Sequence, residues 1–563
     1  MTEQCDLIVN FFCIASAAHL QGRELVSSES FTWLREHFNT ALSHCKPVAD
    51  ELMLNGVTHL FLHGSTYSPA EDPWPGFKFY ASVNFHPSNS IWHDAPYLFE
   101  YIRRCQYILQ QTETIHQVLL YWPFHDVLTS AGNEDLLLQL SIHNVEDWLV
   151  NTSFYHLAGQ LDSLGIGYDV LSDRFLEETE FYRGLLNEGG KSVYRAIVVP
   201  DMNCMPVESM EKLLKLKNAG ARIIFQGLPE TVPGLYRYRE REDQLKGLIN
   251  NFEPALVSGN EIKKELDRAG IIGEKDLKQS SLKFLKKSLN GMAVYFLVNH
   301  TPETIDKWII FKSGSELAIL YNPMNGRPGL AASRSLGNST EVRLFIRPGE
   351  ALFLFMDNQV RSQKEYKELM INEDVKTLFE PWKYPVSEQP ANAEFGPWKV
   401  MFSKGGPTLP EMLTMDQAGP WTGYGDNYDA FAGTAIYSTS FKPGNFDPEK
   451  ERIWIELEDL RESARIRING KDAGALIAHP FRIDITDHLK KGNNRIEIEV
   501  TNVSANRIRA LERSGREWKK FYDINMVNIN YLPLETTNWA VQSSGLKGEV
   551  TLWRVKYENG LPH

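Results

Sequence analysis

The chain has 563 residues, 42% hydrophobic and 11% aromatic, a length that sets a prior of three or four domains with sizeable cores. Seventy-two acidic against 59 basic residues give a formal charge of -13, which argues against non-specific nucleic-acid binding, because that needs a basic surface to displace counterions. The five cysteines (Cys5, Cys13, Cys45, Cys105 and Cys204) are odd in number and form no CxxC pair, which argues against a disulfide framework or a zinc site and predicts reduced, mostly buried thiols.

In chain order, "LIVNFFCIASAAH" comes first, from Leu7 to His19. Its leading "MTEQCD" is acidic where a secretory signal needs positive charge, so the run reads as a buried helix. It is too short to span a bilayer, and no other segment reads as a transmembrane helix. "ELVSSESFTW" (24–33) follows: a strand-like step at Leu25 and Val26, small serines, then one carboxylate, Glu29. The spacing of Phe31, Leu34, Phe38, Leu42 and Val48 predicts a helix over 30–54. "VTHLFLHG" (57–64) is a short buried strand ending at His63, "DAPYLFEYIRRCQYILQQ" an amphipathic helix, and "QVLLYWPF" (117–124) another buried strand. Alternating apolar strands and helices predict a parallel sheet covered by helices. Only about three such units are visible, too few for a closed eight-fold barrel of roughly 200–250 residues.

Residues 145–258 continue the alternation as a doubly wound unit, without GxGxxG or GxxxxGK[ST] to support a nucleotide site. From about 285 the period becomes two, in "GMAVYFLVNHT", "KWIIFK" and "EVRLFIRPGEALFLFMD", which predicts an antiparallel sandwich. A stretch rich in Pro and charge follows, then "GTAIYSTSFK", "RIWIELEDL" and "NNRIEIEVTN". The expected fold class is multidomain α/β plus all-β. Residues 1–144 form a partial (β/α)8-type barrel, 145–284 a doubly wound α/β domain and 285–378 a β-sandwich. Residues 379–396 are a linker and 397–563 a jelly-roll-like sandwich, a candidate carbohydrate-binding module.

The candidate chemistry lies at strand ends, where such sheets carry their sites. Glu29 follows the first strand; the plain alternative is an acid complementing a helix dipole. "HGSTYSPAEDPWPGFKFYASVNF" (63–85) is a long aromatic loop containing His63, Tyr67, Pro69, Trp74, Pro75, Gly76 and Tyr80. Its rings suit sugar C–H faces, and His63, Glu71 and Asp72 suit hydroxyls; the alternative is a packed cover loop. "YWPFHD" presents His125 and Asp126 after a buried strand, with site and structural readings even. No GxSxG elbow and no HExxH helix appears.

Together "GRELVSSESFTW", "GVTHLFLHGSTYSPAEDPWPGFKFYASVNFHPSNSIWHDAPYLFEYIRRCQYIL" and "VLLYWPFHD" resemble glycoside hydrolase family 106, the alpha-L-rhamnosidases. The resemblance implies a chain similar to the C-terminal half of such enzymes, beginning inside their (β/α)8 catalytic barrel. It implies an inverting reaction with two glutamates and a calcium ion near the sugar hydroxyls. Glu29 stands at the position of the later glutamate, with the general base as its expected role. His63, Tyr67, Trp74, His125 and Asp126 are expected to line the pocket. The earlier glutamate and most calcium ligands are expected upstream of Met1, so the metal site is unassigned in this sequence. An inverting site needs its acid and base about 6.5–9.5 Å apart, so one carboxylate alone is not enough.

The expected partners are a rhamnose-containing oligosaccharide or polysaccharide and the missing N-terminal barrel half, with no nucleic acid and no membrane. Family members are often periplasmic or secreted; the sequence itself leaves the compartment open. The rival expectation is a truncated, catalytically inactive, carbohydrate-binding remnant.

Overall fold

The computed structural model describes residues 12–34, 37–79, 81–129, 145–188, 192–251, 255–256, 261–315, 317–357, 380–391, 393–520, 526–528 and 530–559. Cys5, Tyr80 and the acidic "MTEQCD" lie outside the described residues. Residues 12–20 are helical, with Ala15, Ser16 and Leu20 buried. No helix among the described residues is long and apolar enough to cross a membrane. Cys45, Cys105 and Cys204 are buried free thiols, as the cysteine pattern predicts.

The unit that carries Glu29 is small. Strand β1 (Ser27–Ser30) pairs in parallel with β2 (His59–Leu62), placing Glu29 opposite Phe61. Helix α1 (Leu42–Leu54) connects them, and α2 (Ala95–Gln110) packs beside it. The periodicity of α2 explains its placement: Leu98, Tyr101, Ile102, Cys105, Ile108 and Leu109 form one buried stripe. Pro96 in its first turn costs no hydrogen bond.

Two expectations fail in this unit. The helix does not start at residue 30: Phe31 and Phe38 adopt positive φ (68° and 67°), a left-handed conformation that interrupts any helix. Their helical spacing instead reflects burial of both rings in two different cores. The third expected barrel strand also lies elsewhere. β3 (Val118–Tyr121) joins β4 (Tyr168–Leu171), β5 (Ala196–Val199), β6 (Arg222–Phe225) and β7 (Ala255–Leu256) in an all-parallel sheet, ordered β7-β6-β5-β3-β4. The doubly wound sheet therefore takes its first strand from within residues 1–144. All four residues of β3 are buried, so its apolar run suits a barrel or a two-sided open sheet equally. No closed barrel occurs among the described residues.

The remainder is antiparallel. A six-stranded sheet, including Lys283–Leu289, Met292–Val298 and Ala351–Asp357, faces a three-stranded one built on Ile305–Phe311 and Thr340–Ile346. A four-stranded and a seven-stranded sheet form the last sandwich. The expected linker is partly a strand: Lys383–Pro390 pairs with Val550–Asn559, with a register shift between Pro385 and Ser387. Proline is tolerated there because an edge strand needs only one side of its ladder.

One buried ion pair anchors the first unit. In α1, Lys46 Nζ donates to Asp50 at 2.7 Å and to the Gly349 carbonyl, in the first sandwich, at 2.6 Å. Tyr101 Oη in α2 donates to the other Asp50 oxygen at 2.5 Å. Both charged side chains are essentially inaccessible to water. Removing one partner strands the other charge, so Asp50→Ala should cost about 3–5 kcal/mol in chemical denaturation, while Lys46→Met/Asp50→Leu recovers most of it.

Candidate active site

Alternation along β1 buries Ser28 and Ser30 and turns Glu29 outward, 65% exposed. His63 follows β2, its backbone N–H donating to the Ser30 carbonyl at 2.8 Å. Its imidazole Nδ1 lies 2.6 Å from Glu29 Oε1, and the ring is 8% exposed. The two parallel strands thus bring a carboxylate and a buried imidazole together at their carboxyl ends. The contact engages one carboxylate oxygen and fixes the orientation of the group. Phe79 lies 4.9 Å from the His63 ring, centre to centre.

The 63–93 loop is stiffened by its own polar groups. Thr66 Oγ1 donates to the Phe77 carbonyl at 2.6 Å, and the Phe77 N–H to Ser68 Oγ at 2.9 Å. Gly76 closes the turn at φ 77°, where a Cβ would lie 2.7 Å from Ser68 Oγ. Trp74 Nε1 donates to the Ser88 carbonyl at 2.7 Å, and Lys78 Nζ to Ser88 Oγ at 2.6 Å. Burial lowers the Lys78 ammonium to about 8.

The last sandwich clasps this loop. Arg507 lies 3.8 Å above the Trp74 ring, Lys520 pairs with Asp72 at 2.5 Å, and Ser504 Oγ donates to Asn89 Oδ1 at 2.9 Å. Asp94, just before α2, accepts from Ser463 Oγ at 2.6 Å and Arg465 Nε at 2.7 Å. Sequence reading missed all these partners, because nothing local marks an arginine more than 400 residues away as part of a loop.

Of the predicted residues, Glu29, His63 and the loop that carries Tyr67 and Trp74 come together. Tyr67 is 87% exposed and open to a ligand, whereas one face of Trp74 is taken by Arg507. His125 and Asp126 follow β3 and belong to the doubly wound sheet, not to the β1–β2 unit. Asp126 accepts the N–H groups of Asn203 and Cys204, each at 2.8 Å, and His125 lies 3.9 Å from Asp173. These contacts tie the strand ends of that sheet to each other.

Calcium takes six to eight oxygen ligands. The described residues contain one close group of three His, Cys, Asp or Glu donors, His19, His116 and Asp169, and it does not include Glu29.

The alpha-L-rhamnosidase family model matches residues 4–331, more than half of the chain. The chain belongs to glycoside hydrolase family 106. A second model, the galactose-binding-like domain of glycosyl hydrolase family 2, matches residues 424–541, within the last sandwich. The solved rhamnosidase from Novosphingobium sp. PP1Y superposes with a TM-score of 0.72 at 20% identity, over 98% of this chain and 49% of that one. A curated protein of Formosa agariphila named "Putative beta-glucuronidase" is 22% identical over 360 residues, 62% of this chain and 28% of its own length. This family 106 chain thus spans about half the length of the rhamnosidase and just over a quarter of the curated relative.

The clasp predicts a pH response. His37, buried beside Phe38 and the Trp518 cluster, is lowered to about 4 by burial, opposed by a backbone contact from Val527. Between about 4 and the ordinary histidine value of 6.5, the unfolded chain binds a proton that the folded chain does not. Stability from this group is complete above 6.5 and is lost as pH falls through that window. Melting temperatures of His37→Phe measured from pH 7 to pH 4 should fall less steeply than those of the parent.

Proposed function

We propose that this chain forms part of an inverting alpha-L-rhamnosidase that hydrolyses terminal alpha-L-rhamnosyl linkages in glycans, with Glu29 as general base. One observation carries the reading: in a family 106 chain, a carboxylate at the end of a parallel strand is held at 2.6 Å by a buried histidine. With one oxygen engaged by His63, the other is oriented to take a proton from water. That water attacks the anomeric carbon as the glycosidic C–O bond breaks, and a second acid protonates the leaving oxygen. His63 and Tyr67 line the sugar side of this reading; Trp74 shapes the loop beneath it.

In this reading the second carboxylate is a further glutamate or aspartate facing Glu29 across the bound sugar. The chain covers 49% of the solved rhamnosidase, and Phe61 and Phe79, beside Glu29 and His63, are exposed. Apolar rings left in water are surfaces that further chain would cover.

The two-stranded β1–β2 sheet favours a second reading, a carbohydrate-binding remnant without turnover. Release of rhamnose from an aryl alpha-L-rhamnoside separates the two. In an active assembly, Glu29→Gln should lower kcat by about 10²–10⁴-fold with KM little changed. Undiminished kcat in that variant removes Glu29 from the mechanism. Turnover by the 563-residue chain alone overturns the remnant reading.

A further inference from the structure

Three segments of the chain converge on one buried carboxylate. His19, from the helix at 12–20, places Nδ1 2.9 Å from Asp169 Oδ1. His116, just before β3, places Nδ1 3.1 Å from Asp169 Oδ2. Asp169, in β4, is fully buried, and the two imidazoles are 9% and 11% exposed. The rings meet edge to face with centroids 5.7 Å apart. Tyr194 Oη donates to Asp169 Oδ2 at 2.9 Å, fixing the carboxylate plane. Gly167 makes room for the site: a Cβ there would lie 2.5 Å from His116 Cδ2.

We propose that His19, His116 and Asp169 bind a divalent transition-metal ion, zinc by ligand chemistry, joining the N-terminal helix to the doubly wound sheet. All three ligand atoms lie within 4.8 Å of one another. Bonds of about 2.0–2.2 Å from one zinc ion put neighbouring ligand atoms roughly 3 Å apart, and each imidazole Nδ1 already stands 2.9 or 3.1 Å from an Asp169 oxygen. Two imidazoles and one carboxylate suit zinc and its neighbours, not calcium or magnesium. Without metal, each Nδ1 needs a proton to bond the carboxylate. The ion replaces those protons, and Tyr194 is the outer-shell partner that orients the ligating oxygen. Buried Lys287 acts electrostatically on both Asp169 and His19 and competes with the metal for the same negative charge.

The test uses the full chain, stripped with chelator, then titrated with Zn²⁺ by calorimetry and with Co²⁺ by visible absorption. One ion per chain is expected, with cobalt ligand-field bands of a low-coordinate nitrogen–oxygen site. His19→Ala and His116→Ala should each weaken binding by about 100-fold or more. Lys287→Met should tighten it, and His156→Ala, an exposed control, should leave it unchanged. Less than one ion per chain, or equal affinity in His116→Ala, overturns the proposal. Should the histidine variants fail to fold, Lys287→Met decides: unchanged affinity there also overturns it.

Discussion

The Lys46–Asp50 pair is the constraint on which the position of the Glu29 unit depends. Helix α1 lies between the two strands that carry Glu29 and His63, and that helix is pinned by charge, not only by apolar contact. An apolar face tolerates sliding by part of a turn. A carboxylate bonded by Lys46 and Tyr101, with Lys46 also on the Gly349 carbonyl, tolerates none without leaving a charge bare. The next residue of α1, Glu51, meets Lys283 at 2.5 Å and His300 at 2.7 Å. The first sandwich thus acts as a fixed bed for the strand pair, and the 2.6 Å contact between Glu29 and His63 inherits its precision from that bed.

The last sandwich has a different relation to the same site. It does not hold the strands; it holds the loop. Four of its residues, Arg465, Ser504, Arg507 and Lys520, reach Asp94, Asn89, Trp74 and Asp72 respectively. The region matched by the galactose-binding-like model includes Arg465, Ser504, Arg507 and Lys520, whose contacts brace the loop. Loss of this domain would leave Glu29 and His63 in register but the aromatic loop without its outer wall.

Much of this was legible in the sequence, and the failures share one cause. Period-two runs after 285 marked the antiparallel strands, and the stripe in α2 marked its buried face, because both patterns are local. Glu29 and His63 were legible as strand-end residues, although their contact was not. Sheet membership is not local: the fully buried β3 carries no mark that distinguishes a barrel from an open sheet. Phe31 and Phe38 mimicked helical spacing because each serves a separate core across a left-handed turn. The supposed linker looked like one because edge strands tolerate Pro and charge. His19, His116 and Asp169 were invisible as a group, since no spacing rule joins three residues from three segments.

The clasp on the loop also sets an order of events during synthesis. Asn89 and Ser504 are separated by 415 positions. At roughly 5–20 residues per second, a ribosome takes about 20–80 s to travel from one to the other. Early in that interval β1, β2 and α2 are complete, while the loop lacks Arg507 over Trp74 and Lys520 beside Asp72. The Trp74 ring therefore meets the cell before the Arg507 that covers it exists. The nascent chain is most open to chaperones, and to sticking to its neighbours, at the segment that the last sandwich later clasps.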